Sequence, residues 1–162
     1  KKWAGRAAAA VLCICLSATG IYDYVIILRD NDSAHRMTVN MESSLTDWLS
    51  ANLKKNDLLL TPEYTMNEVT MSGAMLYCGW PYYAWSAGYD TYYRAARAVE
   101  IYTTASAQVL KETVEEEQIT YILFEEGMKF EEKECREDVI ADTYPLVYQS
   151  DDGRIRIYGT KE

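Results

Sequence analysis

The chain has 162 residues, 49% of them hydrophobic and 12% aromatic, which gives room for one domain of ordinary size with an appendage. A formal net charge of −9 excludes a nucleic-acid binder built on phosphate contacts, because that needs a concentrated basic face and no Lys/Arg stripe is present. Four cysteines in a chain of this length do not make a disulfide framework.

Residues 1–30 open basic, with Lys1, Lys2 and Arg6, and run into the uncharged stretch AAAAVLCICLSATGIY at 7–22. At about 1.5 Å per residue that stretch is roughly 24 Å long, short of a ~30 Å hydrocarbon core. Trp3 in one interface, a snorkelling Arg6, and Tyr22 and Tyr24 at the opposite headgroups extend it to an adequate span. Cys13 and Cys15 then read as small hydrophobes. A cleaved signal peptide with a small-residue site near Ala18-Thr19-Gly20 competes with this reading, as does a buried core helix. The membrane helix is favoured. It puts Lys1 and Lys2 in the cytoplasm and the acidic residues 31–162 on the extracytoplasmic side of the cell membrane. The chain does not open on methionine, as expected of a segment cut from a longer protein.

Residues 31–40 are polar and read as a linker. They hold the single histidine, His35, so a zinc site or a Ser/His/Asp triad has nothing to build on. Ser43 or Ser44 is placed to cap a helix carrying Leu45, Trp48, Leu49 and Leu53 on one face. Asp47, three residues after Ser44, resembles a capping box with a shorter acid. Residues 57–61, a leucine triplet closed by Pro62, read as a buried strand. Asp90 is placed to cap a helix to about Thr103, and Ser106 opens another to about Glu116, with Val109, Leu110 and Val114 on one face. Glu115, Glu116 and Glu117 read as its solvated end. ITYILF at 119–124 is a second buried strand, and the charged residues 127–138 are expected to be partly helical. Strands at 144–149 and 154–158 flank Ser150-Asp151-Asp152-Gly153, a hairpin signal. The expected fold is α/β: a small Rossmann-like sheet with two parallel central strands and a C-terminal antiparallel hairpin, preceded by one N-terminal transmembrane helix.

In such a sheet the ligand crevice lies beyond the carboxyl ends of the parallel strands, here near Thr61, Glu63, Glu125 and Glu126. Those acids could serve a ligand, or they are solubilising loop residues. Neither strand leads into a dinucleotide fingerprint or a P-loop, and no calcium-loop pattern occurs. The most unusual stretch is 71–97, MSGAMLYCGWPYYAWSAGYDTYYRAAR, with two of the four tryptophans and six of the fourteen tyrosines. Aromatic faces can stack on the C–H surfaces of sugars, while Asp90 and Arg94 can bond hydroxyls or a phosphate. Against that, the rings can pack between loop and sheet, and Asp90 and Arg94 can form an i,i+4 ion pair. Trp80, Tyr82, Tyr83, Trp85, Tyr89, Asp90 and Arg94 are the candidate substrate- or partner-binding residues. Cys78 and Cys135 either bridge, given an oxidising compartment, or are two buried free thiols.

Several of these features occur together: the hydrophobic segment ending Thr19-Gly20-Ile21-Tyr22-Asp23, the Trp48 helix, Leu58-Leu59-Leu60-Thr61, Ser72-Gly73, Gly79-Trp80-Pro81, Gly88-Tyr89-Asp90 and Arg94. In combination they resemble the C-terminal end of polytopic membrane glycosyltransferases of the GT-C superfamily, of the protein mannosyltransferase type and its bacterial relatives. The resemblance covers nearly the whole chain on loosely spaced motifs. It implies a last transmembrane helix leading into a small extracytoplasmic α/β domain. The whole enzyme would transfer a sugar from a polyprenyl-phosphate donor, using an acidic residue of its first extracytoplasmic loop. That loop is not in this chain, so the resemblance assigns it no catalytic residue, no metal ligand and no cofactor; a divalent cation would belong to the rest of the enzyme. The implied partners are the parent's membrane domain, the lipid bilayer, and a glycan or polyprenyl-phosphate sugar. The alternative reading is a membrane-tethered extracytoplasmic binding or sensor module, and an independent secreted hydrolase ranks third.

Overall fold

The central strands are buried residue after residue, on both faces of the sheet, and the core divides accordingly. The computed structural model describes residues 2–30, 42–65, 68–130 and 133–161, and the chain separates into two units, 1–38 and 39–162. The first unit contains one helix, α1 (Lys2–Asp30). At about 1.5 Å per residue it is roughly 43 Å long, more than a ~30 Å hydrocarbon core requires. Its segment Trp3–Asp30 is long and apolar enough to cross a membrane. The helix continues past Tyr22 through Leu28, so the span is longer than the uncharged stretch alone provides. Ser17 Oγ donates to the Cys13 carbonyl (2.8 Å) and Thr19 Oγ1 to that of Leu16 (3.2 Å). Both hydroxyls are thus satisfied within the helix, as a hydrocarbon surrounding would demand. The expected linker at 31–40, with His35, lies outside the described residues.

The second unit runs α2 (Ser44–Asn52), β1 (Leu58–Leu60), α3 (Glu68–Met71), β2 (Met75–Leu76), α4 (Pro81–Ser86), α5 (Thr91–Thr103), α6 (Ala107–Glu116), β3 (Tyr121–Glu125), β4 (Lys129–Phe130), β5 (Lys133–Glu134), α7 (Glu137–Thr143), β6 (Leu146–Gln149) and β7 (Ile155–Gly159). Five strands form one sheet in the order β2-β1-β3-β7-β6. β1 is parallel to both β2 and β3, and β7 is antiparallel to both β3 and β6. The expected pair of parallel strands and the terminal hairpin are present. A third parallel strand, β2, lies inside the aromatic stretch. Two residues are too few to show a period of two, and for that reason the sequence pattern missed it.

Successive strand residues face opposite sides, and the core has two halves. Leu59, Leu123 and Ile157 pack with Leu45 and Leu49 of α2 and Val69 of α3. Leu60, Ile122, Phe124 and Tyr158 pack with residues of α5, α6 and α7, among them Ile101, Tyr102, Leu110, Val114 and Ile140. The body is therefore a three-layer α/β/α arrangement. Each fully buried aliphatic side chain contributes roughly 1.5–3 kcal/mol of burial.

Local chemistry sets the element ends. α2 is capped by Ser43, and the capping box closes with Thr46, whose Oγ1 accepts from the Ser43 N–H (3.1 Å). This corrects the expected Ser44–Asp47 pairing. α5 and α6 start after Asp90 and Ser106 as their capping residues predict. Residues 127–138 depart from expectation: β4 and β5 form a two-stranded hairpin, and helix begins only at Glu137. The Phe130 ring stacks on Tyr102 (5.2 Å, 22°) and the Arg136 N–H donates to the Tyr102 carbonyl (2.8 Å), so tertiary contacts override local helical preference there. Glu137 ties α7 to β7 by accepting from the Tyr158 hydroxyl (2.7 Å) and from Arg156 Nη2 (2.9 Å). In the terminal hairpin Gly153 takes φ +74° and donates to the Ser150 carbonyl (2.8 Å), a turn that a residue with a side chain rarely adopts.

Candidate functional site

The chain leaves β1 and β2 at the same end of the sheet, and the two exits meet. The Tyr64 N–H donates to the Gly79 carbonyl (3.3 Å), and the rings of Tyr64 and Trp80 lie edge to face at 5.1 Å. Gly79 has φ +55°, and a Cβ there would come within 3.2 Å of Leu76 Cδ1. Glycine is what lets the chain turn out of β2 so tightly. Pro81, buried, then opens α4 at its first turn, where a missing N–H costs nothing. Gly88, at φ +88°, ends that helix, with its N–H donating to the Trp85 carbonyl (2.9 Å) and the Tyr89 N–H donating to that of Ala84 (3.1 Å). Asp90 Oδ1 accepts from the Tyr92 and Tyr93 N–H groups (3.1 and 3.2 Å) and starts α5.

The result is an aromatic ridge turned to solvent. Tyr83 is 74% exposed, Trp85 55% and Trp80 38%; Tyr82, Tyr89 and Tyr92 are equally open. Tyr82 touches Tyr83 (6.0 Å) and Trp85 (6.2 Å), so the rings contact one another, and none of them belongs to either half of the core. The expectation that they pack between loop and sheet is overturned. No charged residue occurs from Gly79 to Tyr89.

Next to the ridge lies a polar network around one buried ring, that of Tyr77; Glu117 and Arg97 are half-buried in it, and Arg94 and Tyr93 are exposed. The Tyr77 ring is buried with the Arg94 guanidinium over its face at 5.1 Å, and Arg94 Nη1 donates to the Tyr77 carbonyl (2.9 Å). Arg94 therefore turns to Tyr77, and Asp90 to its helix; the i,i+4 ion pair between them does not form. Glu117 accepts from the Tyr77 hydroxyl (2.8 Å), the Tyr93 hydroxyl (2.6 Å) and Arg97 Nε (3.1 Å). Desolvation raises its pKa, but the hydrogen bonds from Tyr93, Tyr77 and Arg97 outweigh that and hold the carboxyl below its ordinary value. The Tyr77 phenol is pushed well up by burial and by the same Glu117. Glu117 was expected at a solvated helix end and is instead the point where α5, α6 and the exit of β2 are joined. Cys78 donates weakly to Glu63 Oε1 (3.8 Å), and burial, then the Glu63 charge, push its thiol up to about 11. Cys78 and Cys135 are both free thiols.

The crevice expected between the carboxyl ends of β1 and β3 is filled. Tyr102, fully buried, donates to the Leu123 carbonyl (2.5 Å) with the Leu60 carbonyl at 3.3 Å, and its ring carries Phe130. Glu63, Glu125 and Glu126 line neither of the two cavities described among these residues. Thr61 Oγ1 is buried beside this plug without a hydrogen-bond partner. A cavity of about 900 Å³ opens elsewhere, lined by Asn56, Ile119, Tyr144 and Lys161 among others. Among the described residues no group of three His, Cys, Asp or Glu is placed to hold a metal ion, so none is assigned to a cation.

The seven candidate residues thus sort into two kinds. Trp80, Tyr82, Tyr83, Trp85 and Tyr89 form the ridge, while Asp90 and Arg94 hold it in place. The sequence pattern missed Tyr64, which joins the ridge from the exit of β1, and Glu117. Tyr64 has φ +58° two residues after Pro62, and only pairing of the loops after β1 and β2 makes its neighbourhood visible.

No protein-family model matches the sequence, and no curated protein does. A solved structure that aligns with the chain is the C-terminal globular domain of an oligosaccharyltransferase from Archaeoglobus fulgidus, at 13% identity and a TM-score of 0.48, over 78% of this chain and 99% of that one.

Proposed function

We propose that this chain is the membrane-anchored, extracytoplasmic α/β domain of a glycosyltransferase that uses a polyprenyl-phosphate sugar, and that it recognises substrate without performing the transfer. The observation that carries the reading is the charge-free Trp/Tyr ridge, open to solvent beside a hydrogen-bonded network of Tyr77, Arg94 and Glu117. Such rings offer stacking faces and hydroxyls together, which suits a sugar. The apolar helix α1 supports an anchored protein. The titratable groups near the ridge are already committed: Asp90 to backbone amides, Glu117 to its donors, and Cys78 to a neutral thiol at physiological pH. They support the structure of a recognition surface and are not poised for acid–base or nucleophilic work.

The test is transfer by the intact enzyme from a polyprenyl-phosphate sugar after Trp80→Ala, Tyr82→Ala, Tyr83→Ala or Trp85→Ala. Each loss of a stacking face should slow transfer about tenfold, or ~1.4 kcal/mol. Thermal unfolding should move little, since exposed positions change stability by about 0.5 kcal/mol or less. Undiminished transfer in all four variants would refute the reading, as would unfolding by the ~3–5 kcal/mol that buried aromatics lose.

A further inference from the structure

We propose that the α4 ridge is a bilayer-interface contact, in which Trp80, Tyr82, Tyr83, Trp85 and Tyr89 sit among lipid headgroups and hold the α/β body against the membrane; this rests on the reading that α1 spans it. The first argument is composition. The segment 79–89 is GWPYYAWSAGY, in which every large side chain is Trp or Tyr and no Leu, Ile, Val, Met or Phe occurs. The faces that do enter this protein's core are built mainly of Leu, Ile and Val, with single rings among them. Trp and Tyr join an apolar ring to one polar atom, and they concentrate in the headgroup layer for that reason.

Charge gives the second argument. The chain carries a net −9, yet the ridge has no charged residue, and the two that follow it are engaged, Asp90 with amides and Arg94 with Tyr77. The ridge is a place where an acidic body can approach a bilayer without desolvating a carboxylate. Shape is the third. The ridge rings line neither of the two cavities described among these residues, so their faces are open to an extended surface such as a bilayer. An open ridge fits a broad partner. The tether completes the case: when a helix anchored in the same bilayer belongs to the same chain, the effective concentration is high, and a weak contact is enough to keep the ridge seated. The polar head of a lipid-linked sugar leaves the membrane in this same layer, so a seated ridge would meet it there.

Depth-dependent quenching tests this on the full chain in phosphatidylcholine nanodiscs, with lipids brominated close to the headgroup or not at all. Trp3→Phe with Trp48→Phe leaves Trp80 and Trp85 as reporters; Trp48→Phe with Trp80→Phe and Trp85→Phe leaves Trp3. Trp48 packs edge-on against Tyr121, so both measurements are repeated with Trp48 retained, using a Trp48-only chain as background. The proposal expects brominated lipid to cut Trp80 and Trp85 emission by a fraction comparable with Trp3. Quenching of Trp3 with none at Trp80 and Trp85 overturns the interface contact and leaves the anchored reading standing, with a glycan or protein as the ridge's occupant. No quenching at any of the three overturns both.

Discussion

Glu117 shows how much of this site depends on one carboxylate. Its two oxygens collect two phenols and a guanidinium from Tyr77, Tyr93 and Arg97, and through them fix the support of the ridge. Its folded pKa is depressed below the ordinary 4.5. The stability it contributes is therefore fully present above that value and is lost as pH falls through the folded one. Glu117→Gln should lower stability at neutral pH by about 1.5–3 kcal/mol, the range for hydrogen bonds to a charged group. At pH 3 and below, denaturant unfolding of variant and parent should converge, and a gap that persists undiminished would show that the charge is not what matters. The role of Glu117 was not legible from Glu115-Glu116-Glu117, because nothing local distinguishes the third acid from its neighbours. Only the fold brings Tyr77 and Tyr93 to it.

At the scale of elements, caps were the most readable feature. Asp90 could be assigned as the start of α5 from its place before a run of helix-compatible residues, and the structure bears it out. Asp90→Ala should destabilise the body by about 0.5–2 kcal/mol, the usual cost of a lost N-cap. Hydrogen exchange should quicken first at the Tyr92 and Tyr93 amides, and protection unchanged there would mean the cap is dispensable. The elements that escaped sequence reading are the short ones. β2, α4 and the β4–β5 hairpin are each too brief to build a period, and each exists because a neighbour completes it. β2 needs β1, α4 needs the turn at Gly79, and the β4–β5 hairpin needs Phe130 against Tyr102.

For the molecule as a whole, the order of elements was enough to predict an α/β sheet with parallel strands and a reversed terminal hairpin. It was not enough to predict which openings stay open. The switch point between β1 and β3 reads as a crevice until Tyr102 is placed in it, and the aromatic stretch allows either packing on the sheet or an open face until its rings turn outward. Both outcomes depend on where α5 lands. Free Cys78 and Cys135 carry a consequence at this scale: the body is held together without a covalent cross-link. Thermal unfolding of the full chain should have the same midpoint with and without reductant. A bridge contributing the typical 2–4 kcal/mol would instead lower the midpoint by about 4 °C or more on reduction.

The strand order has a further consequence for synthesis. β1 pairs first with β2, but its other edge waits for β3, and β3 in turn waits for β7. On a ribosome the leucine triplet of β1 emerges long before its second partner. The sheet cannot close until α5 and α6 have been made and have crossed over it. Loop closure of that length is slow, and an unpaired apolar strand is exposed to aggregation meanwhile. A nascent chain released between α6 and β7 would therefore be the species most dependent on a chaperone.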